Sequence, residues 1–337
     1  MANHRILIIG VGSIGERHLR CFKATTRAEL CLCEPNEQLA KTVAERYGAT
    51  RRYASLDAAL GDRPRAFDTA VICAPSHLHV PAAKQLVEQG VNVFIEKPLS
   101  TSLDGIEELI QLIERKRVTA AVACTYRSHP AVRAMKQAIA EGRFGRPVQV
   151  VSTWGQHFPK YRPAYRRIYY TSRQTGGGAI QDVLTHAVNA GEFLVGPIDK
   201  VMADAAHQVL EGVEVEDTVH VICRHAGGVM GCYSLNQHQA PNENTITVIC
   251  EKGTARFDLN NARWSSMTEP GGEWKTEMQF SLERDDIFIH QANLFMDVLE
   301  GKAAPACTVA EGLQTLRVNL TLLEIAFNPK WCPVGPK

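Results

Sequence analysis

Glycines 176–178 run into the stretch "AIQDVLTHAVN", which places Asp182 four residues before His186. On a helix, residues i and i+4 share a face, so a carboxylate and an imidazole could both meet one small molecule. Such a pair suits gripping one hydroxyl and taking the proton of another. The glycines would let the chain pass close to a ligand without side-chain obstruction. Taken by itself, the pair also fits a helix-surface salt bridge or a satisfied core histidine. A third group, Lys97, ends the strand-like run "NVFIEKP". Ligands bind at the carboxyl ends of strands in open α/β sheets, and a residue before proline is biased toward extended backbone. The plain alternative for Lys97 is a solvated surface lysine.

A second group of residues could hold phosphate. Gly10-Val11-Gly12-Ser13-Ile14-Gly15 follows the buried-strand pattern "RILIIG" and opens the helical pattern "GERHLRCFKA". Gly10 permits the tight turn, Gly12 admits a pyrophosphate, and Gly15 lets helix and strand pack closely. The phosphates would face the positive end of the helix. Nineteen residues after Gly15 comes Glu34, at the end of the second strand. A carboxylate there accepts ribose hydroxyls and repels a 2′-phosphate, so NAD is expected over NADP. Ala74, Pro75 and His77, just past the strand "TAVICAP", and Glu96, beside Lys97, complete the expected cofactor contacts. His77 is placed beside the nicotinamide and His79 at the start of the next helix. His18, His129 and His290 are read as structural.

These groups need elements to position them. Residues 1–125 alternate short β-branched runs with longer helical patterns, ending in "TAAVACTY". That alternation implies an α/β domain, a doubly wound parallel sheet with right-handed crossovers. Beyond Tyr126 the pattern changes. "SHPAVRAMKQAIAEGRFG" reads as one helix and "PVQVVSTWGQ" as a strand. From about residue 200, five strand-like segments follow in series, separated by glycine and proline turns, which predicts an antiparallel sheet. Residues 126–337 therefore read as a second, α+β domain. Its last helices, about 286–300 and 309–326, are candidates to dock back on the first domain.

Composition narrows the function classes. Thirty-seven basic against thirty-six acidic residues leave a net charge of +1, which gives no electrostatic case for nucleic acid or an anionic membrane. The N-terminal apolar run is too short for a signal sequence or a membrane span, and the cytoplasm is the expected location. The ten cysteines are dispersed without a CxxC, so no metal site is expected; Cys31, Cys33, Cys73 and Cys250 fall in strand-like runs as small buried apolar residues.

"GVGSIGERH", "APSHLHVP", "IEKPLS", "HPAVRAMKQAIAEGRFG" and "GGGAIQDVLTHAVN" together resemble the glucose–fructose oxidoreductase and inositol dehydrogenase family, Gfo/Idh/MocA. The resemblance spans nearly the whole chain. It implies a Rossmann domain followed by a domain with a large open, mainly antiparallel sheet that serves oligomer contacts, here a homodimer or homotetramer. It also implies that Lys97, Asp182 and His186 form the catalytic set of an NAD-dependent dehydrogenase acting on a sugar, polyol or sugar acid. Two departures stand out. Asn189 occupies a place where many relatives have aspartate, and Tyr126 stands near a place where asparagine is common. The segment 155–175 is rich in tyrosine and arginine. Tyrosines suit sugar faces, and Arg162, Arg166 or Arg167 could recognise an anionic group. Tyr126 and Arg127 complete the expected substrate contacts. Two other readings stay open: a net non-redox reaction through transient oxidation by tightly bound NAD, and a non-catalytic NAD-dependent sensor.

Overall fold

The computed structural model describes residues 4–328 and 331. Its packing divides the chain into two units, Met1–Pro130 with Ser281–Leu316, and Ala131–Phe280 with Arg317–Lys337.

The first unit holds six strands: β1 (His4–Ile9), β2 (Ala28–Cys33), β3 (Arg52–Tyr53), β4 (Thr69–Ile72), β5 (Asn92–Ile95) and β6 (Ala120–Val122). They pair in the order β3-β2-β1-β4-β5-β6, all parallel. This is the doubly wound order, in which the chain reverses direction across the sheet at β1 and β4. Strands buried on both faces need continuous apolar runs, and Ile6–Ile9 and Thr69–Ile72 are buried throughout. The two-residue β3 has no periodicity that a sequence reading could detect. Helix Glu37–Tyr47 starts at Asn36, whose side chain accepts the Leu39 amide, and stops at the left-handed Gly48. Helix Asp286–Leu299 packs on the first helix, Ser13–Ala24, and lays Phe295 flat on Phe94 with 4.4 Å between ring centroids. Cys31, Cys33 and Cys73 are buried in this core.

The helix read from "SHPAVRAMKQAIAEGRFG" forms with Pro130 in its first turn, as Pro130–Ala140, with the left-handed Gly142 just beyond its end; a separate short turn of helix at Thr125–Ser128 precedes it. The residue between them, His129, has φ −67° and ψ 123°, because proline keeps its predecessor out of the helical region.

The second unit contains an eight-stranded sheet: β7 (Pro147–Gly155), β8 (Ile198–Ala206), β9 (Thr218–His225), β10 (Met230–Asn236), β11 (Glu243–Cys250), β12 (Gly253–Asp258), β13 (Arg263–Met267) and β14 (Lys275–Gln279). The order is β14-β13-β12-β11-β7-β10-β9-β8. All pairs are antiparallel except β10 with β7, so the sheet is mixed. The parallel pair arises because the chain leaves the sheet after β7, forms the Asp182 helix, and returns to β7 only after β8 and β9. Strands β13 and β14 carry serine, lysine and glutamate rather than β-branched runs, and their sequence gives little strand signal. Along β9 burial alternates strictly from Val219 to His225. The outer face exposes Met202, Ile222 and Met230, and Met202 lies directly across from Ile222. Among the described residues no helix is long and apolar enough to cross a membrane.

Buried histidines tie stability to pH. Burial, reinforced by the charge of His290, brings the His129 imidazole down from 6.5 to about 4. Burial also lowers His79, against two backbone carbonyl contacts, and His225. All three are neutral in the native state near neutrality. Below pH 6.5 the unfolded chain takes up protons that the folded chain refuses, so stability present above that pH is lost as pH falls toward about 4. For His129 alone the loss by pH 5 is about 2 kcal/mol. Urea denaturation at pH 7 and pH 5 should show this loss, and a His129→Gln variant should show less of it. Equal midpoints for the wild type at the two pH values would contradict the assignment.

Candidate functional site

In the first unit, the glycine loop joins β1 to helix Ser13–Ala24. Gly10 has φ +78°, and a Cβ there would sit 2.9 Å from the Cys73 carbonyl oxygen. A Cβ on Gly15 would lie 1.8 Å from the Gly10 carbonyl oxygen. A Cβ on Gly12 would meet nothing within 4 Å, so the loop is open at that residue. Gly12 caps the helix without a side-chain acceptor. The first amides of the helix, on Ser13, Ile14 and Gly15, lack intrahelical partners by geometry, an arrangement suited to phosphate oxygens. Glu34 is tethered at both oxygens: Oε2 accepts the Val11 amide at 3.1 Å and Oε1 the Asn36 amide at 3.0 Å. A carboxylate has about four acceptor positions, so roughly half remain for ribose hydroxyls. These residues fit a dinucleotide.

Around β4 and β5 the picture is more specific than the sequence reading. Pro75 precedes the short turn Ser76–Leu78, and His77 is exposed. His79 does more than begin the next helix. Its ring is buried between two carbonyls, with Nε2 2.8 Å from the Ala74 oxygen and Nδ1 2.9 Å from the Pro98 oxygen. It therefore links the segment after β4 to the segment after β5. The Lys97–Pro98 peptide is cis. From Val93 to Ser100, Lys97 is the one residue that is not buried. Tyr126 is half-buried, and burial raises its phenol above the ordinary value. Arg127 departs from its expected role. It is only 3% exposed and ion-pairs with Glu311. Glu311 in turn accepts the Thr308 amide at 2.8 Å, while Thr308 Oγ1 accepts the Glu311 amide at 3.2 Å. That is a capping box at the start of helix Val309–Ile325, and the Arg127 charge is committed to it.

In the second unit, Gly177 and Gly178 are required by close packing against the protein itself. A Cβ on Gly177 would lie 2.3 Å from the Tyr170 carbonyl oxygen, and one on Gly178 2.4 Å from Glu216 Oε1. The fully buried Glu216 was missed by the sequence reading. Its Oε1 accepts the Ile180 amide at 3.1 Å, its Oε2 accepts Arg173 Nε at 2.9 Å, and its carbonyl accepts the Ala179 amide. A carboxylate so placed anchors the start of the helical segment. That segment is not one regular helix. Ile180–Leu184 is π-helical and Thr185–Val195 is α-helical, so Asp182 lies in a wider turn than the i,i+4 argument assumes.

Asp182 is 2% exposed. Its Oδ1 accepts the Tyr169 hydroxyl at 2.6 Å, and its Oδ2 lies 3.6 Å from an Arg162 guanidinium nitrogen. The Asp182 charge raises the Arg162 pKa further. Every residue from Gly176 to Glu192 is buried except His186, which is half-buried. The His186 ring lies nearly parallel to the Trp154 indole, at 6.5 Å between centroids. The remaining arginines of the segment point elsewhere. Arg166 donates to Glu211, through its backbone oxygen at 2.8 Å and its carboxylate at 3.1 Å; Arg167 is exposed. Tyr165 and Tyr170 are core residues, packed with Phe158, Leu210, Val213 and Val215, while Tyr161 and Tyr169 are exposed. Tyr169, one of four tyrosines in the segment 155–175, joins Asp182 as a further candidate site residue.

Residues 4–124 match the model of an oxidoreductase family with an NAD-binding Rossmann fold, and residues 132–256 match the Gfo/Idh/MocA C-terminal domain. A levoglucosan dehydrogenase of Pseudarthrobacter phenanthrenivorans is 25% identical over 278 residues, covering 73% of this chain and 71% of its own. A 1,5-anhydro-D-fructose reductase of Ensifer adhaerens is 24% identical over 332 residues, 95% of each chain. The structure of a levoglucosan dehydrogenase in complex with NADH and levoglucosan superposes with a TM-score of 0.86 at 21% identity, over 96% of this chain and 97% of that one; at that identity the likeness shows the fold. Two sheets of the expected kinds, the dinucleotide loop and both domain matches agree, and the chain is an oxidoreductase that belongs to the Gfo/Idh/MocA family.

Proposed function

We propose that the protein oxidises a secondary alcohol of a neutral sugar or polyol with NAD. The observation that carries this reading is that Lys97 and His186 are each the one partly exposed residue of an otherwise buried run. A titratable group kept accessible in such surroundings is suited to meeting a ligand. His186 takes the hydroxyl proton, Lys97 stabilises the negative charge that develops on that oxygen, and the buried Asp182 holds Tyr169 and Arg162 in place for a neighbouring hydroxyl. NAD held by the glycine loop would supply the hydride acceptor. Glu34 accepts the ribose hydroxyls and disfavours a 2′-phosphate, which supports NAD over NADP.

The charge arrangement at two of the three candidate arginines supports a neutral substrate over a sugar acid. Arg162 is matched by Asp182 and Arg166 by Glu211, so neither offers an unmatched cation to a carboxylate. The relatives named as acting on levoglucosan and 1,5-anhydro-D-fructose support a sugar-type substrate.

A screen of NAD reduction over inositols, aldoses and aldonates tests the proposal. Neutral compounds should raise NADH absorbance, with kcat/KM on the order of tenfold or more above the corresponding aldonates, as expected for a carboxylate that gives up water without gaining a matching cation. A preference for aldonates would overturn the charge argument. Protein that carries bound NADH and converts substrate without net reduction of added NAD would replace the dehydrogenase reading with transient oxidation. No reduction by any compound would favour the sensor.

A further inference from the structure

Glu96, immediately before Lys97, is only 4% exposed, yet its carboxyl is held below the ordinary range. Burial pushes it upward; the hydrogen bond and charge of His18, with Lys97, more than offset this. The geometry is a clamp. Glu96 Oε1 lies 2.7 Å from Nε2 of His18, and Oε2 accepts the backbone amide of Lys97 at 2.8 Å. One carboxylate thus joins a side chain of helix Ser13–Ala24 to the main chain that carries Lys97.

His18 is specialised for this contact. It is 1% exposed and enclosed by the rings of Phe22, Phe94 and Phe288, with centroids 6.3, 5.9 and 5.7 Å away. Among the described residues its Nδ1 has no hydrogen-bond partner. The Glu96 contact is therefore the polar contact for which the ring is buried. A buried charge is costly unless it is paired. Without His18 the carboxylate would have to take up a proton or turn away; the first weakens its hold on the Lys97 amide and the second releases it.

We propose that His18 is a positioning residue for Lys97, acting through Glu96 and coupling the helix after the glycine loop to the segment that presents the lysine. The inference rests on the dehydrogenase reading of Lys97. It also implies that His18, read from sequence as structural, contributes to turnover without touching substrate.

Three proteins, each with NAD bound, test it: wild type, His18→Leu and His18→Gln. Glutamine can place a donor near the Nε2 position; leucine cannot. His18→Leu should lower kcat on the order of 10²-fold, the scale of a misplaced reacting group, with KM for NAD changed less than about twofold. Hydrogen exchange of the Lys97 amide should quicken about tenfold or more in His18→Leu, by the logic of local opening. His18→Gln should restore most of both. If His18→Leu fails to fold, the double variant His18→Leu/Glu96→Leu removes the buried charge with its partner and should fold, with the same loss of kcat; an unimpaired double variant overturns the proposal. Wild-type kcat in His18→Leu, unchanged exchange at Lys97, or no recovery in His18→Gln would each overturn it. A wild-type protein that oxidises nothing in the screen would sink the dehydrogenase reading instead, and the exchange comparison would still decide whether His18 fixes Lys97.

Discussion

Replacing His186 by alanine should lower kcat by roughly 10²–10⁴-fold, the usual contribution of a positioned acid–base group, and leave the fold intact. The two halves of this expectation come from different observations. The loss of turnover follows from the proposed proton acceptance by the imidazole. The intact fold follows from placement: His186 is half-buried in a run that is otherwise closed, and its ring rests against Trp154 at the edge of that run. Truncation opens a recess at the surface rather than a cavity in the core, so the melting temperature should barely move. NAD affinity should also hold, because the glycine loop and Glu34 belong to the other unit. Kinetics on a substrate found by the screen, with an NADH-binding titration and a thermal melt, checks all three. Normal turnover in His186→Ala would remove the imidazole from the mechanism.

The second large effect concerns two glycines three residues apart. Gly15→Ala would put a methyl carbon 1.8 Å from the Gly10 carbonyl oxygen, a backbone atom that cannot swing aside. The loop or the helix must shift, at a cost of about 3 kcal/mol, and the shift disturbs the cradle itself. Gly12→Ala meets nothing within 4 Å and should fold like the wild type. Its methyl group would occupy the open side where phosphate approaches. Melts and NADH titrations should therefore separate the pair. Gly15→Ala loses both stability and binding, whereas Gly12→Ala loses binding alone. Wild-type NADH affinity in Gly12→Ala would mean that the dinucleotide approaches elsewhere.

What could be read from sequence follows how local the cause is. The glycine loop was legible because its sterics are settled within six residues, and the place of Lys97 just past a strand because the apolar run stops there. The features that were hidden depend on distant partners. Arg127 looked available for substrate because Glu311, 184 positions away, was invisible to it. His18 looked merely structural because Glu96 is 78 positions away. The π-helical turn at Asp182 starts on an amide held by Glu216, 36 residues downstream, and nothing in "IQDVL" itself asks for that geometry. The mixed character of the second sheet has the same origin, since the parallel pairing of β7 with β10 joins segments separated by two strands and a helix. Strands β13 and β14 escaped notice for the opposite reason: their residues give weak local signal, and neighbouring strands supply the pairing.

The segment around Arg162 and Tyr169 has a small apolar core of its own, formed by Phe158, Tyr165 and Tyr170 against Leu210, Val213 and Val215. Its conformation is thus maintained by residues that point inward, while Arg167 is exposed and the partly exposed Arg162 and Tyr169 reach back to Asp182. Changes at these three residues would alter the surroundings of Asp182 without removing the apolar core of the segment. If the proposed sugar or polyol site lies at these residues, selectivity and folding would rest on different side chains, and descendants of one such scaffold could come to use different carbohydrates by drift at a handful of surface positions.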